Sequence, residues 1–134
     1  MFERFPRLKV AVIEPTATWA PSHMSHWKER YSDWQVCAKL GDYKSHLSMK
    51  PSEYFRRNVK LGSFLTRREI EQRYEIGVEC LTWAPDSPHP EGLWPETLDR
   101  TVDALKGLPE PEIAAVLGET AATFYGFEKS LFRE

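Results

Sequence analysis

Apolar residues fall along this chain in short runs set off by proline and glycine, and the runs change period from one to the next. Leu8-Lys9-Val10-Ala11-Val12-Ile13 is a compact, β-branched run between Pro6 and Pro15. It predicts a short strand buried on both faces. Residues 59–64, with Gly62 inside, and the run Cys80-Leu81-Thr82-Trp83-Ala84 are two further strand candidates. Between these runs the period lengthens. Met24, Trp27, Tyr31 and Trp34 recur at i, i+3, i+7 and i+10 behind Pro21, which suits a first helical turn. Residues 35–50 show no period and read as loop, after which Pro51 opens a short helical turn through Phe55. Thr66 and Glu69 have capping-box spacing, Ile70 and Tyr74 form a narrow apolar face, and Gly77 suits the position after a helix. Pro95 starts a helix with Leu98, Val102 and Leu105 inward, ended by Gly107. Pro109 and Pro111 begin a last helix that buries Ile113, Val116, Leu117, Ala121, Phe124 and Tyr125 and stops at Gly126.

Strands that alternate with helices imply an α/β fold with parallel strands joined by right-handed crossovers. The length, 134 residues, allows one domain or part of a larger one. With 18 basic and 20 acidic residues and no basic run, the chain lacks the electrostatic footprint of a nucleic-acid binder. Its apolar runs are too short to span a membrane. The start, Met1-Phe2-Glu3-Arg4-Phe5-Pro6, has no signal-peptide core. Cys37 and Cys80 form neither a disulfide framework nor a C-x-x-C motif, so the expected setting is the cytoplasm.

Ligands of α/β folds gather at the carboxyl ends of parallel strands. Glu14 closes the first strand and Asp86 follows the third. A carboxylate there can bind a metal, take a proton from water, or do no more than cap a helix or make a turn. Around Asp86, Pro85, Pro88 and Pro90 fix three φ angles and hold it in a defined relation to His89. That histidine either meets a substrate or bonds its own loop. His23 and His26, at i and i+3, read as a solvated helix face, and His46 carries no assignment. Cys80 reads as a small core residue. No phosphate loop, nucleophile elbow or dinucleotide fingerprint is present.

Four stretches together resemble the C-terminal part of the amidohydrolase-related family, in the branch that holds aminocarboxymuconate-semialdehyde decarboxylase-like enzymes. Residues 2–10, with Glu14 and Trp19 after them, are similar to the lead into barrel strand six. Pro51-Ser52-Glu53-Tyr54-Phe55-Arg56-Arg57-Asn58-Val59 resembles the lead into strand seven. Ile76-Gly77-Val78 and residues 81–95, Leu-Thr-Trp-Ala-Pro-Asp-Ser-Pro-His-Pro-Glu-Gly-Leu-Trp-Pro, resemble strand eight and its loop. Residues 117–127 resemble the terminal helix. The resemblance implies about three βα units of a (β/α)8 barrel that binds a divalent metal, often zinc, and hydrolyses or decarboxylates a small organic molecule. It makes Asp86 the strand-eight aspartate, which ligates the metal or takes a proton from the water the metal activates, and sets His89 beside the substrate pocket. The sequence departs from the family in Pro85 and Ser87, where Ser and Tyr are usual. It departs again at Glu14, where many decarboxylase-like members carry a histidine. Glu14 is then a catalytic or supporting polar group.

A full barrel takes about 250 residues, and a catalytic zinc about three protein ligands. The family's strand-one His-x-His and strand-five His have no counterpart in this sequence, so its metal site is expected to be incomplete. The chain therefore reads either as part of a metal-dependent hydrolase or carboxy-lyase, or as a non-catalytic barrel segment that self-associates or docks on a complementary barrel fragment. A small α/β binding module unrelated to barrels is the third reading.

Overall fold

The computed structural model describes residues 1–33, 41–42 and 44–128. Trp34 and Cys37 lie outside them. Three strands, β1 (Val10–Ile13), β2 (Val59–Ser63) and β3 (Leu81–Trp83), form one parallel sheet in the order β1-β2-β3. The register sets Ile13 beside Gly62 and Gly62 beside Thr82. A Cβ on Gly62 would lie 2.8 Å from the end of the Ile13 side chain and 3.1 Å from the Thr82 hydroxyl, so a larger residue here requires the exposed Ile13 side chain to turn aside and Thr82 to give way.

Helices fill the connections. A 3₁₀ turn (Ala17–Trp19) leads into α1 (Ala20–Ser32), with Pro21 in its first turn. Next come α2 (Pro51–Asn58) before β2, then α3 (Arg67–Glu71) and α4 (Arg73–Ile76), and a 3₁₀ turn (Val78–Cys80) before β3. Beyond β3 lie α5 (Thr97–Leu105), α6 (Glu110–Ala114), a π-helical turn (Ala115–Glu119) and α7 (Thr120–Tyr125). The core lies between sheet and helices, where Leu61, Leu81, Ile70, Ile76 and Val116 are almost wholly buried. Among the described residues no helix is long and apolar enough to cross a membrane.

Several faces turn differently from the sequence pattern. β1 is an outer strand whose exposure alternates, so Ala11 and Ile13 face outward instead of being buried. The helix after Thr66 breaks at Gln72, which moves the second buried position from Tyr74 (61% exposed) to Ile76. Cys80 closes a turn rather than opening the strand, though it is fully buried. On α5 the side carrying Ala104 and Leu105 is buried, and Leu98 and Val102 stay exposed. The π-helical turn adds one residue to the last helical segment and shifts its phase. Ala122 and Phe124 are therefore buried after it, while Leu117 and Tyr125 are exposed.

Candidate functional site at the strand tips

Three non-glycine residues among those described have positive φ: Glu14 (84°), Leu65 (50°) and Asp86 (54°). Each follows the carboxyl end of a different strand. Such backbone is uncommon outside glycine and marks tight turns and functional rims. Leu65 is explained by packing, since its side chain is buried. The other two are the acidic residues that the sequence singles out.

The loop of Asp86 is held by its own backbone. The Leu93 N–H donates to the Pro85 carbonyl at 3.1 Å, His89 N–H to the Asp86 carbonyl at 3.0 Å, and Gly92 N–H to the His89 carbonyl at 2.9 Å. A Cβ on Gly92 would collide with the Asp86 carbonyl and sit 3.0 Å from those of His89 and Pro85. The loop therefore depends on glycine at this position, a requirement that is visible only once the turn is folded. His89 Nδ1 approaches Asp86 Oδ2 at 3.1 Å, an ion-pair distance without hydrogen-bond alignment. The oxygen is shielded from solvent and has no hydrogen-bond partner among the described residues. An orphaned carboxylate oxygen is costly to bury. It stands ready for a proton, a cation or a donor from elsewhere.

Glu14 has an exposed side chain, and its N–H donates to the Gly62 carbonyl at 2.8 Å. It stands two strands from the β3 tip, about 10 Å by the usual strand spacing. Glu14 and Asp86 thus share a rim without touching. His23 bonds the Trp19 carbonyl just before α1 at 3.0 Å and packs edge-on against Trp19 and Trp27, and both it and His26 are exposed.

One residue with a larger role than its spacing suggested is Glu69. Its carboxylate is fully buried and accepts four hydrogen bonds: from Ala17 N–H (2.6 Å), Ser63 hydroxyl (2.8 Å), Thr66 N–H (2.7 Å) and Thr66 hydroxyl (2.9 Å). It ties the loop after β1 to the end of β2. The capping-box spacing signals the Thr66 bonds, but nothing local signals the reach to Ala17.

Among the described residues no group of three or more His, Cys, Asp or Glu side chains is placed to hold a metal. The orphaned Asp86 oxygen, with His89 beside it, fits one ligand position of a metal centre and not a whole one.

No family model and no curated protein matches the sequence. Solved structures do match the fold. An amidohydrolase from Mycobacterium avium subsp. paratuberculosis superposes with a TM-score of 0.71 at 24% identity, over 92% of this chain and 29% of its own. The 5-carboxyvanillate decarboxylase of Sphingomonas paucimobilis gives 0.66 at 24% identity, over 95% and 36%. The chain spans about a third of the length of these structures. Its fold, three parallel strands alternating with helices, matches that part of both structures.

Proposed function

We propose that this chain is the strand-six-to-eight portion of a metal-dependent amidohydrolase-type barrel, acting on a small organic molecule by hydrolysis or decarboxylation. The observation that carries the reading is the sheltered, unpartnered Oδ2 of Asp86 beyond the β3 tip. A divalent metal, zinc in the first instance, would supply Lewis acidity and an acidified water at such a rim. This chain's part is narrower. Asp86 holds one ligand position or accepts a proton at Oδ2. The half-exposed ring of His89 lies beside that carboxylate and presents its far nitrogen to substrate. Glu14 adds a second carboxylate to the rim. Asp86 is on a loop stiffened by three prolines and three backbone hydrogen bonds, so its position survives substrate exchange.

Titration of the purified protein with zinc, read by the histidine NMR signals, tests this. The expected result is weak binding, as one ligand position allows, that shifts the His89 signals and is lost in Asp86→Ala while the melting curve is kept. Shifts unchanged by that substitution, or none at millimolar zinc, would sink the reading. Either outcome would favour a non-catalytic interaction segment, the alternative supported by the exposed Ile13, Leu98 and Val102 side chains.

A further inference from the structure

One edge of the sheet is left with its backbone unpaired. β1 is an outer strand, in parallel register with β2 from Val10 to Ile13, and the Glu14 N–H continues that ladder to the Gly62 carbonyl. Backbone groups along a strand alternate between its two edges. Val10, Val12 and Glu14 therefore serve β2, while Ala11 and Ile13 turn their N–H and C=O groups away from it. Among the described residues nothing bonds those outward groups. The devices that guard a natural edge are missing as well. Residues 10–13 are Val-Ala-Val-Ile, without charge, proline or bulge, and the Ile13 side chain is 51% exposed. The opposite outer strand, β3, is shorter and mostly buried.

Another strand is what places donors and acceptors in line with such an edge, and β1 fits itself. We propose that two copies of this chain pair β1 with β1 in antiparallel sense, about a two-fold axis through Val12, and so join their three-stranded sheets. The Ala11 N–H donates to the Ile13 carbonyl of the second copy, and the Ile13 N–H to its Ala11 carbonyl; the two-fold repeats both bonds. This register uses every free group of the strand. It sets Ala11 opposite Ile13, small against large, and Val12 opposite Val12. Glu14 of each copy falls beside Val10 of the other, which keeps the two carboxylates about 14 Å apart at the usual rise of a strand. The contact is isologous and consumes the edge, so association stops at the dimer. Asp86 and His89 take no part, so this contact and the metal reading stand or fall separately.

Sedimentation equilibrium across a concentration series is the first test, and a monomer–dimer equilibrium with no larger species is expected. Ala11→Pro removes a donor that β2 does not use, at an edge position where proline is tolerated. It is expected to raise the Kd of the dimer about tenfold, with the circular dichroism spectrum unchanged. Ile13→Lys sets a charge on the exposed edge and is expected to act in the same direction. If a variant fails to fold, amide hydrogen exchange on the wild-type protein reads the same contact. The Ala11 and Ile13 amides are expected to be protected where the dimer forms and to exchange quickly on dilution, while the Val12 amide stays slow in both states. A monomer at every concentration, assembly beyond the dimer, association indifferent to both substitutions, or Ala11 and Ile13 amides that exchange quickly in the associated protein would overturn the proposal.

Discussion

At the scale of single residues, burial decides what chemistry is open to a side chain. Cys80 is fully buried, and desolvation of its thiolate pushes the thiol pKa up to about 11. At pH 8 its thiolate fraction is then about a thousandth, and the sulfur has no access to reagent. Mass mapping after alkylation at pH 8 is expected to find Cys80 unmodified in the native protein and fully modified once denatured. Labelling of the native protein at a rate like that of a free thiol would contradict its place in the core. Asp86 stands at the other extreme. Part of its side chain is open, while one oxygen is closed off and left without a hydrogen-bond partner. In the sequence the two flank one strand-like run, Cys80 at its start and Asp86 just past its end. Only the folded loop separates a core thiol from a rim carboxylate.

At the scale of elements, the carboxylate of Glu69 fastens three pieces together: the turn after β1, the end of β2 and the start of α3. All four groups around it are donors, so the site requires an acceptor on both oxygens. Glu69→Gln turns one oxygen into a donor facing donors. It is expected to cost about 1–3 kcal/mol in urea denaturation, the penalty for leaving buried polar groups unpaired. A loss within a few tenths of a kcal/mol would mean that water or another group already shares the load.

Two strands were legible as short apolar runs stopped by Pro15 and Pro85, and the third as the apolar residues 59–64 between two helical patterns; the alternation with helices implied that they run parallel. Helix faces were less legible. The break at Gln72 and the π-helical turn at residues 115–119 each shift the phase that a single period assumes, which turned Tyr74, Leu117 and Tyr125 outward. The candidate residues could be named from sequence, but not how they would be arranged. The motif named Asp86 and His89, and they meet at 3.1 Å. Glu14 was named from its place after β1, and no local pattern could say that it would stay a strand's width and more away.

At the scale of the whole molecule, two distant segments, the start of the chain and α6, are fastened by carboxylates that prefer to be ionised. Near the start, Glu3 accepts from Tyr54 hydroxyl and from Ser48, and the Tyr54 bond above all lowers its pKa from the ordinary 4.5. In α6, Glu112 accepts from Tyr74 hydroxyl at 2.7 Å and from Arg73 at 2.6 Å, and those bonds, Tyr74 first, lower its pKa as well. A carboxyl held below its unfolded value adds stability that is fully present above that value and fades as pH falls through the lowered one. The melting temperature is therefore expected to be level near neutrality and to fall as pH drops from about 4.5 into the acid range. Glu112→Gln removes one titrating group while keeping an acceptor for Tyr74. It should lower the melting temperature near neutrality and flatten the acid slope, because the variant has lost the charge that protonation would otherwise remove. Glu3→Gln should act in the same direction at the start of the chain, and the two effects should add, since they fasten separate segments to different helices. Thermal melts of the single and double variants from pH 7 to pH 3 measure this directly. An acid slope as steep in the double variant as in the wild type would assign acid sensitivity to other carboxylates, and would leave the two segments held by packing alone.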